Sequence, residues 1–236
     1  VGGGSTGREG AVLHFCKTLA ENTAHRFKFT DRQTQRLIIV SIGAGFGAAL
    51  GAPWTGILFG FEYQKSTFFR PKTMISAGLA AVVSQALIGF SGVPHFHFPS
   101  FNIPEYALKN LAFVFIAGIL FGFSALIFHL LRKKFELTLS KANPMVRGLF
   151  AGSFIALLYY LFGLEDYQGL GTKTISLAAI EVLPPIIAIK KIILTTFTLG
   201  AGFQGGEFFP LAFIGSTIGS AFSFVDPSLT PLLAAL

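Results

Sequence analysis

Charged residues are scarce in this sequence, because Asp, Glu, Lys and Arg make up only 12% of its 236 residues. Soluble domains average roughly 25%, so about half of the usual charge is missing. Five apolar stretches of at least 17 residues contain none of these four residues, and they are 37–61, 74–104, 111–128, 148–164 and 208–225. A helix of that length can cross a bilayer of about 30 Å. The pattern argues against an ordinary soluble domain and predicts an all-α, multi-pass membrane protein.

Cysteine is almost absent too. Cys16 is the only one, so an intrachain disulfide is excluded. The sequence also lacks the His-Glu-x-x-His motif of zinc peptidases. The pair His95 and His97 has no neighbouring Cys or acid, and we interpret it as part of a loop rather than a metal site. We therefore expect no enzyme, no cofactor and no metal, with an intramembrane enzyme or a scaffold protein as remote alternatives.

Basic residues outnumber acidic ones by 18 to 11. They cluster between the apolar stretches, in residues 17–36, 65–72 and 132–147. Basic residues that flank membrane spans have this distribution. We interpret them as loop residues at the membrane surface and expect no nucleic-acid partner.

Glycine and proline divide the apolar sequence into short segments. The predicted helices are 11–27, 32–50, 53–64, 71–90, 106–139, 144–162, a short segment ending at 180, a helix from Pro184-Pro185 to 200, and 210–224. Proline is well tolerated in the first turn of a helix, so several of these begin at proline. Broken helices occur at membrane depth only where their backbone is buried in protein or lines a cavity. The segments therefore favour a transporter-like interior.

One short motif occurs twice, near the two ends of the chain. Gly7-Arg8-Glu9-Gly10 leads into an apolar helix, and Gly205-Gly206-Glu207-Phe208-Phe209-Pro210 leads into another. Matching interrupted segments in two halves of a transporter indicate a binding site at the interface of two repeats. The first amides of a helix lack intrahelical acceptors and carry a partial positive charge, and glycine lets an ion approach them. The pattern predicts an anion site.

Glu9 places a carboxylate at such a helix start. It could occupy the position of the permeant anion and leave when it is protonated, which would make it both gate and proton carrier. The alternative is a first-turn acid that only complements the helix dipole. Acids within apolar segments are costly and usually functional, so the functional interpretation is favoured. For Arg8, a role as a structural brace is at least as well supported as direct contact with the ion.

These motifs resemble the CLC family of chloride channels and transporters. The resemblance rests on Gly7-Arg8-Glu9-Gly10, Gly51-Ala-Pro-Trp-Thr-Gly-Ile-Leu-Phe-Gly-Phe-Glu62 and Gly206-Glu-Phe-Phe-Pro210, in this order. It implies a homodimer with one anion pathway per subunit, built from inverted repeats, of which residues 1–236 are a piece truncated at both ends. It also implies that Glu9 is the gating glutamate. The other implied site residues are Gly7, Arg8, Gly10, Gly206, Glu207 and Phe208, which bind the anion mainly through backbone amides, and Glu62 and Pro210, which are structural.

Two departures from the usual family pattern concern the transported ion. Tyr63 follows Glu62, where chloride/proton exchangers of the family carry a second glutamate, and Glu207 replaces a residue that is usually apolar. Both resemble the fluoride/proton antiporter branch, in which a carboxyl group could donate a hydrogen bond to fluoride. Glu207 could instead be an acid satisfied by helix-terminal N–H groups. The expected partners are fluoride or chloride, protons and a lipid bilayer, and the expected location is a bacterial plasma membrane. A chloride channel or chloride/proton exchanger remains the alternative.

Two adjacent lysines interrupt an otherwise apolar predicted helix. Lys190 and Lys191 could extend toward a membrane interface or pair with Glu181. We expect no role in the pathway for them.

Overall fold

The computed structural model describes residues 3–63, 71–92 and 108–221, with the backbone alone for 108–110. Within these ranges the chain is helical, as predicted, and His95 and His97 lie outside them. The helices are α1 (Glu9–Arg26), α2 (Asp31–Leu50), α3 (Pro53–Tyr63), α4 (Pro71–Ser91), α5 (Leu108–Leu139), α6 (Pro144–Phe162), α7 (Thr172–Ala178), α8 (Ile186–Gly200) and α9 (Phe208–Ala221), with a 3-10 turn at Glu165–Tyr167.

Each helix whose start was predicted begins within two residues of the predicted position. The bounds of α6 agree at both ends, and α3 and α4 begin at their predicted prolines. In contrast, α1 begins at Glu9, ahead of the predicted residue 11, and α9 begins at Phe208 rather than at Pro210. The first-turn N–H groups take no part in intrahelical bonds, so proline fits at several first-turn positions. A proline therefore marks the first turn of a helix without fixing its first residue.

Three helices of the described ranges are long and apolar enough to cross a membrane. They are Pro71–Ser91, Leu111–Leu139 within α5, and Pro144–Phe162. One of the five uncharged stretches is broken within the described residues. The stretch 37–61 is divided between α2 and α3 at Gly51, which has a φ of +70°. These are the broken helices that the sequence predicted.

The chain divides into two compact units, Glu9–His97 and Val1–Arg8 with Phe98–Leu236. In the first, the α1–α4 unit, α2 contacts α1, α3 and α4. Helices α2 and α3 approach so closely that a Cβ on Gly56 would lie 2.3 Å from the carbonyl oxygen of Gly43. A Cβ on Gly60 would lie 2.5 Å from that of Ile39. Small residues allow this packing where lipid offers no hydrophobic driving force.

In the second unit, called the α5–α9 unit, α8 contacts both α5 and α9. The short helix α7 also contacts α9. Phe213 of α9 is fully buried, and its ring would be 2.4 Å from a Cβ on Gly171. Gly171 has a φ of +68°, a conformation that L side chains rarely adopt. Glycine at this position lets the segment before α7 lie directly on the core of the unit.

Candidate functional site

The two glycine-rich turns of the repeated motif meet in the α5–α9 unit. The amide of Gly7 donates to the carbonyl of Gly206 at 2.8 Å, and the amide of Gly206 donates back to Gly7 at 2.9 Å. This pair forms an isolated antiparallel bridge. The repetition seen in the sequence therefore corresponds to a direct backbone contact between the two turns.

The segment before Gly7 is held by hydrogen bonds to helix α8. Ser5 is fully buried, its hydroxyl lies 2.9 Å from that of Thr195, and its amide donates to the Thr198 hydroxyl at 3.4 Å. Residues 3–7 also have the Gly-x-Ser-x-Gly spacing of a serine-hydrolase turn. A hydrolase nucleophile stands exposed on a strand-to-helix turn, whereas Ser5 is buried against another hydroxyl. Ser5 is thus a structural residue here.

Glycine permits the close approach of the two backbones at this point. A Cβ on Gly205 would lie 2.4 Å from the Cβ of Thr6, a distance that real side chains do not reach. A Cβ on Gly4 would lie 3.1 Å from Thr198 Cγ2. The space beside Gly4 and Gly205 is filled by threonine side chains, and the amides of Gly7 and Gly206 donate to each other.

The second turn leads directly into helix α9. The carbonyl of Glu207 accepts from the amide of Leu211 at 2.9 Å, which makes Glu207 the N-cap and Phe208 the first helical residue. The amides of a first turn point out of the N-terminal end, where the peptide dipoles place a partial positive charge. Phe209 and Pro210 are buried, while Phe208 is 43% exposed. This end of α9 can therefore receive negative charge.

The Glu207 side chain forms an ion pair with Arg132 of α5. Both side chains are partly exposed, 40% for Arg132 and 35% for Glu207. Helix α5 is positioned by its contact with Gly200, where a Cβ would lie 3.2 Å from the Arg132 carbonyl oxygen. A carboxylate in an ion pair accepts hydrogen bonds. Neither role considered for Glu207, a hydrogen-bond donor to fluoride or an acid satisfied by helix-terminal N–H groups, included this arginine.

A polar cavity of about 660 Å³ adjoins the segment before Gly7. Its wall is formed by glycines, polar side chains, three apolar side chains and four charged groups. The lining residues are Gly3, Gly4, Thr6, Gly7, Arg8, Gly152, Ile155, Glu165, Asp166, Gln168, Gly169, Leu170, Gly171, Thr172, Lys173, Thr174, Thr198, Phe203 and Gln204. Such a wall suits a small hydrated ion better than an apolar ligand.

The remaining predicted site residues belong to the α1–α4 unit. Glu9 is the first residue of α1 and is only 4% exposed. Gly10 follows it and is half-buried, whereas Glu62 near the end of α3 is exposed. The α5–α9 unit thus contains Gly7, Arg8, Gly206, Glu207, Phe208 and Pro210.

The sequence analysis was wrong about Lys191. This lysine has no exposed surface, and its Nζ donates to the carbonyls of Tyr167 and Gly169 at 2.9 Å each. It neither extends toward an interface nor pairs with Glu181, which is exposed. The sequence does indicate that Lys191 is buried, because residues 188, 191, 192 and 195 of α8 have the i, i+3, i+4, i+7 spacing of a buried helix face.

A profile of the family described as "voltage gated chloride channel" matches residues 1–235. The chain belongs to this family. It is 30% identical to a chloride/fluoride channel protein of Pseudomonas syringae pv. tomato, over 98% of this chain and 51% of that protein. It is 27% identical to the H(+)/Cl(-) exchange transporter ClcA of Vibrio parahaemolyticus, over 96% of this chain and 51% of that protein. The chain thus spans about half the length of these curated relatives.

Two solved structures of the family share this fold. A CLC-type fluoride/proton antiporter superposes with a TM-score of 0.85 at 25% identity, over 98% of this chain and 59% of that chain. A slow cyanobacterial Cl-/H+ antiporter gives 0.82 at 25% identity, over 99% of this chain and 58% of that chain. The predicted CLC-like fold and the integral membrane location are confirmed. These relatives are named as channels and transporters rather than enzymes, in keeping with the prediction at the level of the family.

Proposed function

We propose that this chain forms much of the anion pathway of a membrane transporter that exchanges fluoride for protons, with Glu9 as gate and proton carrier. The observation that supports this most is the backbone bridge between Gly7 and Gly206. It sets the start of the second glycine turn beside the first, next to a cavity with polar walls. Amides at helix starts attract anions without a full counter-charge that would hold the ion too tightly.

Glu9 is assigned the gating role because its carboxyl group is buried at the first position of a helix. An ionised carboxylate there competes with an anion for the positive end of the helix dipole. Protonation removes its charge and ends that competition. We expect each proton that Glu9 binds to be linked to anion movement.

Fluoride is favoured over chloride by Glu207 and Tyr63, the two departures from the chloride-exchanger pattern. The names of two similar proteins, a chloride/fluoride channel protein and a CLC-type fluoride/proton antiporter, point the same way. Chloride transport is the second candidate, since ClcA and the cyanobacterial Cl-/H+ antiporter match the chain over a similar length. As in other CLC proteins, we propose that two copies assemble in the bilayer.

The test is a flux experiment with the full-length protein that contains this chain, reconstituted into liposomes. Under a fluoride gradient, wild-type protein should release fluoride and move protons in the opposite direction. The substitution Glu9→Gln keeps the size of the side chain but cannot carry the proton, so proton movement should fall by at least about 100-fold while fluoride still moves. A fluoride electrode and a pH electrode record both fluxes from the same vesicles.

The matched control is Glu21→Gln on the same helix, where Glu21 is half-exposed and lies 3.9 Å from Lys17. This variant should behave as wild type. Proton coupling that survives in Glu9→Gln would refute the role of Glu9. Replacing fluoride by chloride in the same assay separates the two candidate substrates.

A further inference from the structure

Lys191 is a lysine buried completely within the apolar helix α8. Its Nζ donates to the carbonyls of Tyr167 and Gly169 and lies 5.0 Å from the centroid of the Phe213 ring. Among the described residues, no Asp or Glu forms an ion pair with it. Burying an ammonium group is costly unless it is compensated. The two carbonyls and the ring face compensate for this cost. An apolar side chain would fill the same space without it, so the lysine indicates a role beyond packing.

The two carbonyls belong to the segment that forms one wall of the polar cavity. Gln168 and Gly169 line the cavity, whereas Lys191 does not. The lysine therefore contacts this wall from the protein side. A carbonyl oxygen carries partial negative charge, and it would repel an anion if it faced the cavity.

We propose that Lys191 is a positioning residue for anion binding: from behind the wall it turns the carbonyls of Tyr167 and Gly169 away from the cavity. The wall then presents fewer acceptor oxygens to an anion. The buried ammonium also adds positive potential without contacting the ion, so it favours entry without preventing release.

Hydrogen bonds connect Gly169 to the glycine turns. Its carbonyl accepts from Lys191, and its amide donates to the carbonyl of Gly4 at 2.9 Å. Gly4 stands three residues before Gly7, which is bridged to Gly206. Lys191 holds the carbonyl of this glycine and Gly4 holds its amide, at a residue that has a φ of +56° and no side chain of its own to hold it.

The test compares Lys191→Met with Lys190→Met in the full-length protein. Lys190 is the matched control because it is adjacent, equally basic and exposed, with its Nζ 5.9 Å from the Tyr167 ring centroid. In liposomes, Lys191→Met should raise the fluoride concentration that gives half-maximal flux by about tenfold or more, because both charged hydrogen bonds that hold the loop are lost. Lys190→Met should leave it unchanged. Lys191→Arg keeps the charge and the donors and should restore most of the affinity.

A second readout is hydrogen–deuterium exchange of the amides in residues 165–171. They should exchange faster in Lys191→Met than in Lys190→Met, because the loop has lost its support. Where Lys191→Met does not yield folded protein, Lys191→Gln replaces it, because the amide of Gln still donates hydrogen bonds but carries no charge. The half-maximal fluoride concentration and the exchange rate of residues 165–171 should both rise in this variant, but by less than in Lys191→Met.

The flux readout rests on the proposed function, while the exchange readout does not. If the wild-type protein carried no anion flux, the proposed function would fail, and loop exchange alone would decide the inference about Lys191. Unchanged half-maximal fluoride concentration in Lys191→Met, with or without a fall in melting temperature, would overturn it. Unchanged exchange in residues 165–171 would overturn it as well.

Discussion

Glycine has different functions in the two compact units. In the α1–α4 unit, Gly43, Gly56 and Gly60 lie within helices and bring two helix backbones into contact. In the α5–α9 unit, Gly4, Gly205 and Gly206 lie outside helices and bring two turns together beside a polar cavity. The absence of a Cβ lets two helices pack together in the first unit and lets two turns meet in the second.

The glycines of the first unit should therefore affect mainly the stability of the fold, and those of the second mainly ion binding. Helix-to-helix glycine contacts replace lipid by close packing, and their loss affects the whole fold. Turn glycines set the local backbone geometry before α9, where Gly7 and Gly206 donate to each other, so their loss should disturb the turns more than the whole fold. Substitutions in the two units should therefore be distinguishable, with a loss of folding in one and a loss of transport in the other.

The largest effect is expected from Gly56→Ala in the α1–α4 unit. The added Cβ would lie 2.3 Å from the Gly43 oxygen and 2.6 Å from the Gly47 Cα. Both neighbours are backbone atoms, so α2 and α3 must separate. We expect a loss of about 3 kcal/mol or more, since overpacking against atoms that cannot move lies at the upper end of its usual range. Thermal unfolding of the detergent-purified protein measures this loss.

The control is Gly89→Ala in α4, where nothing lies within 4 Å of the added Cβ. Alanine favours helix over glycine, so this variant should be as stable as wild type or more stable by up to about 1 kcal/mol. Equal melting temperatures for the two variants would show that the α2–α3 contact is looser than described.

Gly205→Ala in the α5–α9 unit should have a smaller effect on folding and a larger one on transport. The new Cβ would lie between 2.4 and 2.9 Å from three side-chain atoms of Thr6. The strain falls at the turn and moves Gly206 relative to Gly7. We expect fluoride flux to fall about tenfold, as for other misplaced site groups, with little change in melting temperature.

Removing the Thr6 side chain tests this explanation. The double variant Thr6→Gly with Gly205→Ala should recover most of the flux, because the clash is with side-chain atoms only. Thr6→Gly alone serves as the control for added backbone freedom. If the double variant were as slow as Gly205→Ala, the steric explanation would be wrong.

Local signals in the sequence were sufficient for part of this structure. Helix α6 is bounded by Asn143, whose side chain accepts from the Met145 amide, and by Gly163 with a φ of +58°. Both are common helix-end residues, and both bounds of α6 were predicted. The repeated glycine motif likewise indicated that two turns belong together, and the Gly7–Gly206 bridge joins them.

Contacts between distant side chains could not be predicted in this way. Lys191 bonds to carbonyls 22 and 24 residues away, and Arg132 pairs with Glu207 across 75 residues. No local spacing specifies such partners, because they depend on how the helices pack. Within the basic cluster 132–134, nothing distinguishes Arg132 from its neighbours.

The smallest effect is expected from the ion pair between Arg132 and Glu207. A double-mutant cycle with Arg132→Gln, Glu207→Gln and both together isolates the coupling between the two side chains. Since the side chains are 40% and 35% exposed, solvent screening should keep this coupling below about 1 kcal/mol. Chemical unfolding of the four proteins provides the free energies. A coupling above about 3 kcal/mol is typical of a pair enclosed in protein, and it would mean that the Glu207 carboxylate is shielded from water in the full-length protein. In that case Glu207 would differ from the turn glycines of its own unit, because its side chain as well as its backbone would determine what the site can bind.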